Sequence, residues 1–330
     1  MEREAAAHLP VLADEVTFLL RPRRGGWVVD GTIGMGGHAE RLLEAGGEGI
    51  RLLGIDRDPE ALARARARLE RFGDRVRLRQ GSFRDIGSHA REAGVPLANA
   101  VLLDLGLSSQ QLDASGRGFT FQKEEPLDMR FDPTRGRTAA ELIAEESETE
   151  IARILFEYGE ERHARRIARR IVERRRRSPL VTTGDLVEAV KHGVPRAGWS
   201  SRTHVATRTF QALRMAVNEE PDALADALAA APPLLAPGGR FGVISFHSGE
   251  DRTVKRAFRA LEGSGFAELE PSPVSASRDE VHQNPRARSA KLRVLERLEA
   301  GGSSSRDGAD EPQAWQFDQS GSTARRGPSR

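Results

Sequence analysis

The 330-residue chain contains no cysteine. That excludes a disulfide framework, an iron–sulfur cluster held by thiolates and covalent catalysis by a cysteine nucleophile. Long apolar runs are also missing: nothing approaches the roughly 20 continuous apolar residues needed to span a bilayer. The first residues carry Glu2 and Glu4 and lack an apolar signal core, so no secretion signal is expected. No cluster of His, Asp and Glu has persuasive ligand spacing, and no metal is expected. These absences predict a cytoplasmic protein with no membrane partner.

Excess charge is small, with 51 basic and 49 acidic residues for a net +2. Its distribution is more informative. Residues 160–177 hold nine arginines against three glutamates, a local +6, so the remainder sums to about −4. A basic patch on a balanced body is the pattern of local nucleic-acid contact; a solvated, salt-bridged helix face is the plain alternative.

Apolar residues make up 38% of the chain, enough for a sizeable core. Strand patterns at residues 26–30, 52–56, 76–80 and 100–104 alternate with helical patterns at 38–45 and 59–72. This alternation predicts a parallel sheet with helices on both faces. Residues 118–136 read as a loop. Helix starts follow at Thr138-x-x-Glu141, Ser147-x-x-Glu150 and Thr182-x-x-Asp185, with Gly159 and Gly193 placed as helix C-caps. The α/β pattern returns with a helix at 221–235, a Pro237-Gly-Gly239 turn, a strand at 240–246, a helix at 253–263 and a last strand at 292–298. The expected organisation is a discontinuous α/β domain (1–117 and 216–300), a small all-helical insertion (118–215) and a disordered tail (301–330).

The strongest local feature is Asp30-Gly-Thr-Ile-Gly-Met-Gly-Gly-His38, directly after a strand and before a helix. Glycines let a backbone approach a ligand closely. Asp56 ends the next strand, where a carboxylate can accept both ribose hydroxyls of an adenosine. A dinucleotide site wants Gly-x-Gly-x-x-Gly, and the spacing Gly31-x-x-Gly34-x-Gly36-Gly37 does not fit cleanly. Asp30 also stands where an anionic pyrophosphate would approach, and suits a cation such as a sulfonium or ammonium instead. A glycine turn with no ligand is the alternative. Asp104 and Gln111, in Asp104-Leu-Gly-Leu-Ser-Ser-Gln-Gln111, reach the cofactor's amino-acid part or the substrate; Ser108 or Ser109 serves equally as a helix cap.

With these blocks the chain resembles the RsmH (MraW) family of 16S ribosomal RNA cytosine-N(4) methyltransferases. The resemblance also runs through Gly54-Ile-Asp-Arg-Asp-Pro59, Arg117-Gly-Phe-Thr-Phe121 and Pro126-Leu-Asp-Met-Arg130. It resumes at Arg202-Thr-His-Val-Ala-Thr-Arg-Thr-Phe210, Ile244-Ser-Phe-His-Ser248 and Asn284-Pro-Arg-Ala-Arg-Ser-Ala-Lys-Leu-Arg293. It covers nearly everything from His8 to Glu299, with Val205 where the family usually has proline and Gly249 where it has leucine. The resemblance implies a class I, Rossmann-like methyltransferase sheet with a helical insertion. It implies methyl transfer from S-adenosyl-L-methionine to the exocyclic amine of a cytidine in the decoding centre, within the small ribosomal subunit. By the family pattern Gly36, Gly37, His38, Asp56, Phe83, Asp104 and Gln111 contact the cofactor.

For the reaction itself, the candidates for orienting the amine and taking its proton are Asp104, Ser109 and His247, or a backbone carbonyl. Without cysteine, methylation at a pyrimidine ring carbon through a thiolate adduct is disfavoured. Arg202, His204 and Arg208 are candidate RNA contacts, with Arg286, Arg288 and Lys291 adding positive charge. Ser248-Gly-Glu-Asp251 reads first as a helix start. Two other functions stay open: a nicotinamide-dependent oxidoreductase, against which the glycine spacing speaks, and a non-catalytic ribosome-assembly factor.

Overall fold

The computed structural model describes residues 10–22, 25–107, 111–112, 115–199 and 203–299, and the backbone of 315–317 and 323–325. Two compact units emerge: an α/β unit of residues 1–106 and 222–330, and a helical unit of residues 107–221.

The α/β unit follows the alternation in the sequence. In chain order it comprises α1 (Ala13–Leu20), β1 (Trp27–Asp30), α2 (Gly37–Gly46), β2 (Arg51–Asp56), α3 (Pro59–Leu69), β3 (Val76–Gln80), α4 (Ile86–Glu92) and β4 (Ala98–Asp104). In the helical unit come α5 (Ala139–Glu145), α6 (Glu148–Glu157), α7 (Ala164–Arg175), α8 (Thr183–Gly193) and α9 (Thr207–Val217). The chain continues through α10 (Glu220–Ala230), β5 (Leu235–Ser245), α11 (Ser248–Leu261), β6 (Phe266–Glu268), β7 (Val274–Ser275), α12 (Arg278–Gln283) and β8 (Lys291–Arg297). The sheet order is β3-β2-β1-β4-β5-β8-β6, with β7 also on β8. The strands β1 to β5 pair in parallel and β8 runs antiparallel to β5. The order reverses direction at β1, which opens the ligand crevice of such sheets beyond the carboxyl ends of β1 and β4.

Alternation along the strands builds two cores. Val28, Leu52, Leu102, Ile244 and Val294 pack with α1, α2 and α3 through Leu20, Leu42 and Ala65. Their neighbours Val29, Leu53, Leu103, Val243 and Leu295 face the other side and pack with Ile86, Leu228 and Phe258 of α4, α10 and α11. Successive strand residues point to opposite faces, so continuous apolar runs such as Val28-Val29 serve both layers.

In the helical unit the expected caps form. Thr138 and Thr182 make full capping boxes with Glu141 and Asp185, and Ser147 accepts the Glu150 amide. The core joins Ile151, Leu155, Ile167, Ile171, Leu186, Val190, Phe210 and Leu213. Leu107 packs against this core, and Asn218 holds the 118–136 loop by accepting the Phe131 amide (2.8 Å) and donating to the Met129 carbonyl (2.7 Å). These contacts carry the unit out to 107 and 221, where 118–215 was expected.

Four local expectations are corrected. Gly159 and Gly193 do not serve as left-handed caps: a Cβ at Gly193 would lie 2.8 Å from the Ile167 Cα, and one at Gly159 2.6 Å from the Arg208 carbonyl. They are small because backbones approach closely there. Pro237-Gly-Gly239 lies inside β5, which begins at Leu235 and takes up a register shift against β4 between Ala98 and Ala100. The helix expected to reach 235 ends at Ala230, where Pro232 and Pro233 cannot donate to it. The helix expected from 253 starts at Ser248, capped by His247. Within the expected tail, Trp315–Phe317 and Thr323–Arg325 pair antiparallel; its other residues from 301 lie outside the described residues.

Candidate active site

The carboxyl ends of β1, β2 and β4 each end in an aspartate, Asp30, Asp56 and Asp104. Between β1 and α2 the glycine loop is laced to its neighbours. The Gly31 amide donates to the Leu102 carbonyl (2.9 Å) and the Ile33 amide to the Ile55 carbonyl (3.0 Å). The Thr32 hydroxyl accepts the Asp104 amide at 2.6 Å, and Asp30 accepts the Thr32 amide at 3.1 Å. Gly36 closes the loop at φ +81, a left-handed conformation that side chains resist, and stands as the N-cap of α2.

Asp56 is tied from both sides. Its Oδ2 accepts the Gly34 amide and its Oδ1 the Asp58 amide, each at 2.9 Å. Asp58 in turn caps α3, accepting the Glu60 amide at 3.0 Å. A carboxylate has about four lone-pair sites, so Asp56 retains acceptor capacity. Phe83 follows β3 in a short turn capped by Ser82. It is half-buried and flanks the loop: a Cβ on Gly31 would lie 3.2 Å from the Phe83 Cβ.

His38, in the first turn of α2, is buried at 6% exposure, and among the described residues neither ring nitrogen has a hydrogen-bond partner. Its Nε2 lies 3.6 Å from Asp104 Oδ2, beyond hydrogen-bond length but within strong Coulombic reach. The other Asp104 oxygen is buried and has no hydrogen-bond partner among the described residues. Burial pushes the Asp30 carboxyl up to about 7, against the opposing pull of the His38 imidazole and the Thr32 amide. Burial likewise raises Asp56 to about 6, less the pull of the Asp58 and Gly34 amides. An acid-rich, partly desolvated edge of this kind favours a ligand bearing positive charge.

The Asp30 shift predicts a pH dependence. Its folded-state value lies above its ordinary 3.8. The folded chain therefore keeps a proton that the unfolded chain releases, and ligand-free stability falls as pH rises from about 4 through about 7. Three units correspond to roughly 4 kcal/mol. In thermal melts the stability difference between Asp30→Asn and the parent protein should move in favour of the variant as pH rises from 5 to 8. A constant difference across that range would refute the assignment.

The remaining sequence candidates are placed as follows. His247 caps α11: its Nδ1 accepts the Glu250 amide (3.4 Å) and its Nε2 faces Glu250 Oε1 at 3.0 Å. With both nitrogens turned to Glu250, it is poorly placed to take a proton from a substrate. Gln111 is buried in the helical unit, where its carbonyl accepts the Ser115 hydroxyl. Ser109 and Arg202 lie outside the described residues. His204 and Arg208 are exposed. Along α7 the arginines divide. Arg169, Arg170 and Arg174 pair with Glu148, Glu173 and Asp185, and Arg175 donates to the Ile143 and Glu146 carbonyls. Arg165 and Arg166 are exposed on the same helix. Sequence reasoning missed Glu280, whose Oε1 accepts the Leu12 amide at 2.7 Å and whose carboxyl, raised chiefly by burial, lies within electrostatic reach of His38. Nothing local signals a contact across that sequence distance. It also missed Thr32 as the loop's tether, although a hydroxyl among glycines was its signal. Among the described residues, no group of three or more His, Asp and Glu is arranged to hold a metal ion. No helix there is long and apolar enough to cross a membrane.

Comparison with known proteins matches residues 5–298 to the MraW methylase family. A protein of Geotalea uraniireducens (strain Rf4), described as Ribosomal RNA small subunit methyltransferase H, is 48% identical over 307 residues, covering 88% of this chain and 98% of that one. Its namesake in Syntrophotalea carbinolica is 48% identical over 314 residues, covering 90% of this chain and all of its own. The one in Sorangium cellulosum is 51% identical over 291 residues, 88% of this chain and 91% of its own.

Proposed function

Because the chain belongs to the MraW methylase family and is an S-adenosylmethionine-dependent methyltransferase, we propose that it methylates N(4) of a cytidine in the decoding centre of 16S ribosomal RNA. The relatives' shared description supports ribosomal RNA of the small subunit as the substrate. The observation that carries the amine as acceptor is Asp104: a carboxyl side chain at the β4 edge with one buried oxygen that has no hydrogen-bond partner among the described residues. Family membership sets the oxidoreductase alternative aside.

The residues fit the cofactor. Among the described residues the His38 ring nitrogens have no hydrogen-bond partner, Asp56 keeps acceptor capacity beyond the Gly34 and Asp58 amides, and Phe83 flanks the loop at Gly31. In this reading Asp56 accepts the ribose hydroxyls, Phe83 packs on the adenine, Asp30 faces positive charge, and Gly36, Gly37 and His38 line the loop. When bound, S-adenosylmethionine supplies an electrophilic methyl group on a positively charged sulfur. The cytosine amine is a weak nucleophile because its lone pair is delocalised into the ring, so the enzyme's main task is alignment. Positioning of that kind is worth roughly 7–11 kcal/mol of the barrier. Asp104 orients the amine by accepting one N–H and takes its proton as the N–C bond forms. The His38 Nε2 lies 3.6 Å from the same carboxyl group. The absence of cysteine fits this chemistry, since attack by an amine needs no covalent adduct.

The test is incubation of the purified protein with radiolabelled S-adenosylmethionine and small ribosomal subunits from a strain lacking this modification, then digestion to nucleosides. Label in N(4)-methylcytidine is the expected result. Label in another nucleoside, or none while cofactor binding is intact, would overturn the assignment.

A further inference from the structure

We propose that the open face of His204 is a stacking platform for an unpaired nucleobase of the RNA substrate, built within the helical unit and resting on the RNA-methyltransferase reading above. The His204 and Phe121 rings are stacked, with centroids 4.5 Å apart and planes at 21°. Phe121 meets Phe210 edge-on at 5.2 Å and 74°, and Phe210 belongs to the buried helical core. The imidazole is thus backed by two rings anchored in packed structure. Its rotation is set as well, because Nδ1 accepts the Ala206 amide at 3.3 Å, which leaves the proton on Nε2. Despite this support the residue is exposed, and Phe121 covers one face of its ring.

Rigid, flat and half-covered is what base stacking requires, and it tolerates any base because every base has a π-face. Aromatic residues are only 5% of the chain. Two phenylalanines shouldering one exposed histidine are therefore a substantial commitment. The surroundings suit a nucleic-acid strand. Arg208 is exposed on the first turn of α9, where it reaches the Glu160 carbonyl at 3.3 Å. Lys191, held by Glu188 at 2.8 Å, lies near enough to act on the imidazole. Burial, and then Lys191, hold the His204 pKa below its usual value, which favours a neutral stacking surface over a cation. A cation near a neutral platform suits a phosphate next to a stacked base. An enzyme that draws a cytidine out of its stack also gains from holding a neighbouring base.

The test measures fluorescence anisotropy of the full-length protein with a labelled single-stranded oligocytidine of about 12 nucleotides, within the usual span of such sites, and with an abasic strand of equal length. The parent protein, His204→Ala and His204→Phe are compared. Expected is about a 10-fold weaker oligocytidine affinity for His204→Ala, near-parent affinity for His204→Phe, and equal affinities of all three for the abasic strand. The proposal is overturned if His204→Ala binds oligocytidine like the parent. It is equally overturned if the loss persists on the abasic strand, or if His204→Phe is as weak as His204→Ala. Failure of the methylation reading appears separately, as missing label in N(4)-methylcytidine while the oligocytidine difference stands.

Discussion

Asp104→Asn is expected to lower kcat for methyl transfer by about 10²–10⁴, the span associated with a positioned proton acceptor. The side chain keeps its size and one acceptor oxygen but loses the charge that takes the amine proton. The fold should survive, because the tether at this point is the Asp104 backbone amide on the Thr32 hydroxyl, which the substitution leaves untouched. Single-turnover methylation at saturating cofactor and subunit separates this effect from binding. A rate within about 5-fold of the parent, well short of what such an acceptor contributes, would remove the proton-taking role from Asp104. The geometry makes Asp104 a better candidate than His247, whose ring nitrogens both face Glu250.

Asp56→Ala is expected to weaken cofactor binding by at least about 10²-fold, since two hydrogen bonds from ribose hydroxyls to a carboxylate are each worth about 1.5–3 kcal/mol. The loss includes a local part: the Gly34 and Asp58 amides lose their acceptor, and the glycine loop its anchor to β2. Titration calorimetry with S-adenosylhomocysteine reads the affinity directly. Burial raises Asp56 to about 6, so the parent protein's affinity should fall as pH drops through 6, because a protonated carboxyl accepts less well. The alanine variant should show no such step from this group. Affinity unchanged within error in Asp56→Ala would remove Asp56 from the site.

The amino-acid sequence by itself determined most of what is local. Trp27–Asp30 and Arg51–Asp56 are short apolar runs ending in an acid, Val76–Gln80 alternates apolar and polar residues, and all three are strands. Thr138 and Thr182 are followed three residues on by an acid, and they cap. The glycine loop and the acids ending β1, β2 and β4 were legible for the same reason: chain-neighbouring residues decide them. Short edge strands were not. Phe266–Glu268 and Val274–Ser275 are two or three residues long and exist only because β8 supplies their hydrogen-bond partners. Gly193 looks like a cap until Ile167 of another helix comes within reach.

Only the tertiary structure decided how the site works. Pairing β1 between β2 and β4 gathers residues 30, 38, 56 and 104 at one edge. Burial there moves the Asp30 and Asp56 carboxyl groups up, and the fold brings His38 within 3.6 Å of Asp104. It likewise set Arg169, Arg170 and Arg174 of α7 against Glu148, Glu173 and Asp185, and seated His204 on Phe121. Periodicity and capping act over three or four residues, whereas desolvation and Coulomb interactions depend on distances in space, which the chain sets only by folding.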